Sequence, residues 1–116
     1  MQEARAILKN IRSSPRKMRL VIDLIRGKNA NEALGILRFT TNHASRDAEQ
    51  TLRSAMSNLT TIAENNETNV DVDNVYVKEV FVNQGTTIKR MLPAPQGRAY
   101  RMRKRSNHLT IIVASK

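Results

Sequence analysis

Apolar residues in this chain change their spacing several times, and each change predicts a new element. From Ala4 to Ile11 they alternate weakly, with Ala4, Ala6 and Leu8 on one face and Arg5 and Lys9 on the other, which predicts a short strand. Met18, Val21, Ile22 and Ile25 then recur at helical spacing, flanked by Leu20 and Leu24. Ser13-Ser14-Pro15 opens that helix, with Ser14 as N-cap and Pro15 at the first helical position, and Gly27 suits its left-handed stop. A second helix is expected to start at Asn31 as cap, with Glu32 in its first turn, and to bury Ala33, Leu34 and Leu37. The third is the longest. Ala44, Ala48, Leu52, Ala55, Met56, Leu59, Ile62 and Ala63 repeat every three or four residues as far as Glu64-Asn65-Asn66. Such a helix would be roughly 33 Å long.

Two β runs follow. Val75 to Val82 is rich in strand formers, and Leu109, Ile111 and Val113 alternate with His108, Thr110 and Ile112. They read as neighbouring antiparallel strands. The fold class expected is α+β: three helices packed on one face of a small three-stranded antiparallel sheet. Residues 1–116 fit one domain, with no internal repeat.

Between those strands lies a stretch that fits neither core nor linker, about residues 83–107. A loop that long without structure of its own is unusual in a compact domain. It holds Lys89, Arg90, Arg98, Arg101, Arg103, Lys104 and Arg105, and no acidic residue; the last acid in the chain is Glu79. The preferred reading continues both strands outward as a long β-hairpin ribbon turning near Pro93-Ala94-Pro95. About eleven residues per side would carry its tip roughly 35 Å beyond the core. A two-stranded ribbon is marginal in water, which makes sense if a partner surrounds it.

Charge identifies the kind of partner. Lys and Arg outnumber Asp and Glu by 20 to 10, giving a formal charge of +10. A polyanion is the economical explanation. No run approaches the ~18 apolar residues of a membrane span, so no membrane partner is expected. No secretory signal is visible, and a soluble cytoplasmic protein is expected. The chain has no cysteine, which excludes disulfides and thiolate metal sites. Its aromatics, Phe39, Phe81, Tyr76 and Tyr100, are too few for a stacking platform that reads single strands. Contact with phosphates and RNA shape is therefore favoured. On the body, Arg5, Lys9, Arg12, Arg16, Lys17, Arg19, Arg26 and Lys28 are the candidate RNA contacts.

Catalysis finds no constellation. His43, at the start of the third helix, and His108, beside a strand, suit cap or packing roles better. Asp71-Val72-Asp73-Asn74 lacks the glycine and closing Glu of a calcium loop, and Arg26-Gly27-Lys28 is no phosphate loop. No metal, cofactor, small-molecule substrate or enzymatic activity is expected. A DNA-binding regulator is the competing class, with the second and third helices as a helix-turn-helix. The Ala-rich stripe of the third helix argues against it, because the basic charge lies elsewhere.

Two segments carry a family resemblance. Ser14-Pro15-Arg16-Lys17-Met18-Arg19-Leu20-Val21, running on to Asp23-Leu24-Ile25-Arg26-Gly27-Lys28, resembles the first-helix signature of the family of large-subunit ribosomal protein twenty-two. Lys89-Arg90, Pro93, Gly97-Arg98-Ala99, Arg101, Lys104-Arg105 and His108 resemble its arm. The similarity spans nearly the whole chain. It implies a structural constituent that binds 23S ribosomal RNA, supports assembly of the large subunit and touches neighbouring ribosomal proteins. The family's hairpin lines the nascent-peptide exit tunnel, in transient contact with the passing peptide. By residue matching, Ile88, Lys89, Arg90, Met91, Pro93 and Ala94 would form the tunnel tip, with Lys89, Arg90 and Met91 near a constriction and the macrolide-binding region. Arg98, Arg101, Arg103, Lys104 and Arg105 would hold the returning strand in RNA. One departure is local: many relatives carry basic residues where this chain has Ala94 and Gln96. The short N-terminus resembles bacterial members.

Overall fold

The computed structural model describes residues 3–67, 72–93 and 99–115. The elements run β1 (Glu3–Ile11), α1 (Pro15–Ile22), α2 (Ala30–Phe39), α3 (Ser45–Asn65), a 3-10 turn (Val72–Asn74), β2 (Val75–Gln84), β3 (Ile88–Pro93), β4 (Ala99–Lys104) and β5 (Asn107–Ser115). β1, β5 and β2 form an antiparallel sheet in that order, so the last strand lies at its centre. Strand alternation turns Leu109, Ile111 and Val113 of β5, Val75, Val77, Val80 and Val82 of β2, and Ala4, Ala6 and Ile11 of β1 into the core. The helices cover that face with Met18, Val21, Ile22 and Ile25 from the α1 region, Ala33 and Leu37 from α2, and Ala48, Leu52, Ala55 and Leu59 from α3. Alanines along α3 let its backbone lie close over β1 and β5. The fold class is the one expected.

Local details depart from expectation in three places. α1 ends at Ile22, and the chain tightens to three-residue spacing through Leu24 N to Val21 O, Ile25 N to Ile22 O and Lys28 N to Ile25 O. Ile25 is still fully buried, and Gly27 closes the segment at φ +76°. The cap of α2 is Asn29, not Asn31. Its side chain accepts from Asn31 N at 2.9 Å, while its Nδ2 donates to Asp73 O at 2.7 Å, so a tertiary contact selects it. Third, β1 ends in a bulge, where Asn10 takes φ +60° and its N–H donates to His108 Nδ1 at 3.1 Å. The bulge turns the chain from the sheet into α1. At that start the expected N-cap is present, with Ser14 accepting from Lys17 N and Pro15 first in the helix.

The hairpin is not one unbroken continuation of the body. β2 stops at Gln84, and β3 and β4 form a separate two-stranded antiparallel sheet. The break is held by Gly85 N donating to Ser106 O at 2.9 Å and Ser106 Oγ donating to Thr86 O at 2.7 Å. A Cβ on Gly85 would lie 2.5 Å from Ser106 Oγ and 3.2 Å from the Ser106 carbonyl carbon, so a side chain here would push the Ser106 hydroxyl aside. Beyond it the register sets Ile88 opposite Lys104, Lys89 opposite Arg103, and Pro93 opposite Ala99. The turn itself, with Ala94, Pro95, Gln96 and Arg98, lies outside the described residues. The radius of gyration is 17.6 Å. A compact chain of this length would have about 13 Å, so the excess measures the arm.

Candidate nucleic-acid interface

Strand directions sort the charges of the body. Ile11 and Gln84 both pair with Asn107, so the end of β1 lies beside the root of the ribbon. Asn107 is fully buried there and its Nδ2 donates to Ser13 O and Ser13 Oγ, both at 2.9 Å. That tie brings the start of α1 to the root as well. A groove lined by Arg12, Lys17, Asn42 and His43 shows that the loop between α2 and α3 reaches the same end. Lys9, Arg12, Arg16, Lys17, Arg38 and Arg46 are all exposed toward this root end, where Lys104 and Arg105, also exposed, lead into β5. Among the described residues none of these eight makes an ion pair. The positive N-terminal poles of α1 and α3 add to the same potential. The acids there are Asp47 and Glu49, and Glu49 is engaged by Arg53 at 2.8 Å.

The opposite end is different in sign. Glu3 begins β1, Glu32 and Asp73 lie where α2 starts, and Glu64 and Glu67 follow at the end of α3. The sequence points the same way: residues 83–107 hold seven of the 20 cations and none of the 10 acids. The molecule is thus an electrical dipole with its positive pole at the root and along the arm.

Four sequence-predicted contacts fall outside that pole. Arg19 Nη2 donates to Val82 O at 3.2 Å and Arg26 Nη2 donates to Val80 O at 3.0 Å. Together with Val77 N donating to Lys28 O at 2.8 Å, they close the outer edge of β2, which would otherwise offer bare carbonyls to another strand. Arg26 also pairs with Asp23 at 2.7 Å, and Lys28 with Glu32 at 3.9 Å. Arg5 stands mid-strand on the uncovered face of the sheet. Of the arm residues, Lys89, Arg90, Arg101 and Arg103 are placed on β3 and β4 by backbone alone, with Ile88, Met91 and Pro93 on β3. Arg98 and Ala94 lie outside the described residues.

Sequence reasoning missed Arg38, Arg46 and His43. The signal was present, since basic residues bracket the short polar loop Thr40-Thr41-Asn42-His43. His43 is not the cap of α3. Ala44 holds that position without a side-chain bond, and His43 is exposed beside it. His108, expected in a cap or packing role, accepts a hydrogen bond from Asn10 N at the β1 bulge. Asp73 serves a strand-opening turn, with its carboxylate accepting from Asn31 Nδ2 at 3.3 Å. No helix is long and apolar enough to cross a membrane, and no metal-binding cluster occurs among the described residues.

A small α+β body with one basic end, drawn out into a basic two-stranded arm, is the build of a protein that grips a polyanion. Comparison with known proteins makes the class specific. Residues 6–114 match the family described as ribosomal protein L22p/L17e, and the chain belongs to that family. Large ribosomal subunit protein uL22 of Chlorobium phaeobacteroides is 54% identical over 111 residues, spanning 96% of this chain and 93% of its own length. The protein of the same description from Chlorobium luteolum is 56% identical, at 96% and 92% coverage. That of Bacteroides fragilis is 50% identical, at 96% and 79%. This chain is therefore a structural ribosomal protein, not an enzyme.

Proposed function

We propose that this protein, a structural constituent of the large ribosomal subunit in the cytoplasm, binds the subunit's 23S ribosomal RNA through its basic root end and its arm. One observation carries the reading: in a chain of this family, the unpaired cations of the body gather where the acid-free arm begins. Lys9, Arg12, Arg16 and Lys17 meet phosphates at the root, and Lys104 and Arg105 continue that surface outward. Lys89, Arg90, Arg98, Arg101 and Arg103 extend it along the arm. Arg5, Arg19, Arg26 and Lys28 contribute from the flanks, Arg19 and Arg26 with their remaining donors. The chain acts as one domain with the arm at about 83–107. It supports subunit assembly, touches neighbouring ribosomal proteins and lines the exit tunnel with its arm. Ile88, Lys89, Arg90, Met91, Pro93 and Ala94 stand nearest the passing peptide.

The test is a footprint of the full chain on large-subunit RNA and on random duplex DNA across a salt series. Specific protection of the RNA should persist at salt concentrations that release the DNA. Replacing Lys104 or Arg16 by Ala should each lower the salt slope by about 1. Equal affinity for RNA and DNA at every salt concentration would sink the reading. Co-sedimentation with large subunits after a high-salt wash checks the assembled state.

A further inference from the structure

Phosphate contact needs no cavity, yet the root end contains one. The groove between α1 and the loop from α2 to α3 has a volume of about 490 Å³. Arg12 and Lys17 stand at its lip, Asn42 and His43 form one wall, and Leu20 supplies an apolar surface. Leu20 is 62% exposed although it lies within a helix whose neighbours Met18, Val21 and Ile22 are fully buried. Among the described residues no carboxylate lines the groove. The backbone behind its walls is held: Ser45 Oγ shares its proton between Asn42 O at 2.7 Å and Thr40 O at 3.2 Å, while Asn107 holds Ser13. A preformed site loses little ordering entropy when it fills.

We propose that this groove takes one unpaired nucleotide of the bound RNA. The proposal rests on the RNA-binding reading above and adds a site to it. A base turned out of its helix presents a flat apolar face, which suits Leu20, and a hydrogen-bonding edge, which suits the Asn42 amide and the His43 imidazole. Its flanking phosphates then lie against Arg12 and Lys17. A fully paired helix offers backbone alone and leaves the groove empty. An apolar side chain of another protein would fit Leu20 but leaves the two lip cations without anions, so the charge favours the nucleotide.

The experiment probes base reactivity along a large-subunit RNA transcript, with and without the full chain. Wild-type protein should protect an unpaired base that Leu20→Ser leaves reactive, with affinity falling about tenfold and the salt slope unchanged. His43→Ala should expose the same base. Both side chains are exposed, so the folded state survives either change, and an unaltered thermal midpoint verifies it. Lys104→Ala should do the reverse, lowering the slope while keeping that base protected. The groove proposal is overturned if Leu20→Ser leaves every base as it was, or weakens binding to a fully paired RNA equally. It is also overturned if a photo-crosslinker at position 43 labels only another protein in assembled subunits. Failure of the wild type to prefer the transcript over duplex DNA would instead remove the RNA-binding reading itself.

Discussion

The body and the arm are both antiparallel β structure with the same kind of backbone pairing, but only the body has something to bury. In the three-stranded sheet, Val77, Leu109, Ile111 and Val113 are completely covered by helices. The described residues of the arm form two strands, with no helix and no third strand among them. Its sequence offers Ile88, Met91, Leu92 and Met102 among seven cations. Hydrogen bonds exchanged for water contribute modestly, so strand pairing alone leaves such a ribbon marginal. The difference is a division of labour: burial stabilises the body, while the arm has only strand pairing to hold it.

The largest expected effect tests that division directly. Leu52→Ala, at a fully buried position on α3, should cost about 2–5 kcal/mol in urea unfolding. Replacing residues 88–104 by a short Gly-Ser link should leave the thermal midpoint of the body within a few degrees. Collapse of the transition on losing the arm would show that the ribbon belongs to the core, and the comparison would break.

The seam comes next. Asn107→Ala removes both donors to Ser13 at a site with no access to water, and about 1–3 kcal/mol should be lost. Amide exchange should quicken at Ser13 and at the root of the arm, where one residue ties β1, β5 and α1 together. A neutral result would mean that water replaces those bonds and that the root is looser than its geometry. Gly85→Ala tests the break itself. A new Cβ forces the Ser106 hydroxyl away from Thr86 O, costing about 1 kcal/mol. Exchange should rise at residues 85–88 and 104–106 and stay unchanged in α3.

What could be read from the sequence divides along the same boundary. β1, β2, β5 and α3 were legible because burial on one face writes a period into the chain. Ser14-Pro15 and Gly27 were legible because their roles are local. The cap at Asn29 was not, since Asn31 offers the same chemistry and only the carbonyl of Asp73 decides between them. Nor were the bonds of Arg19 and Arg26 to the carbonyls of β2, since the spacing of those arginines in the chain carries no sign of the distant strand they reach. The gap at Gly85 had a local signal, because Asn83-Gln84-Gly85 are poor strand formers, but the close approach of Ser106 that sets it is tertiary. The basic pole was legible as composition, but not as a place. That needed the strand directions that bring Arg12, Lys17, Arg38 and Arg46 to one end.

The smallest effect belongs to the pole farthest from the arm. There Glu3 of β1 accepts a hydrogen bond from Lys78 of β2 across the central strand. That bond, and then the charge of Glu3, hold the Lys78 ammonium above the ordinary lysine range. Because the folded value is raised, the pair stabilises the fold fully below the unfolded pKa, and the benefit fades as pH rises through the folded one. The side chains are 39% and 43% exposed, so solvent and salt screen the attraction. Glu3→Gln should lower the urea midpoint slightly at neutral pH, and the difference should shrink in alkaline solution and in high salt. A difference that persists unchanged at alkaline pH would show that Glu3 acts by packing instead of charge. The arm has no acid with which to form such a pair. The same variant should therefore leave the salt slope of RNA binding untouched, which separates the pole that holds the body together from the pole that meets the partner.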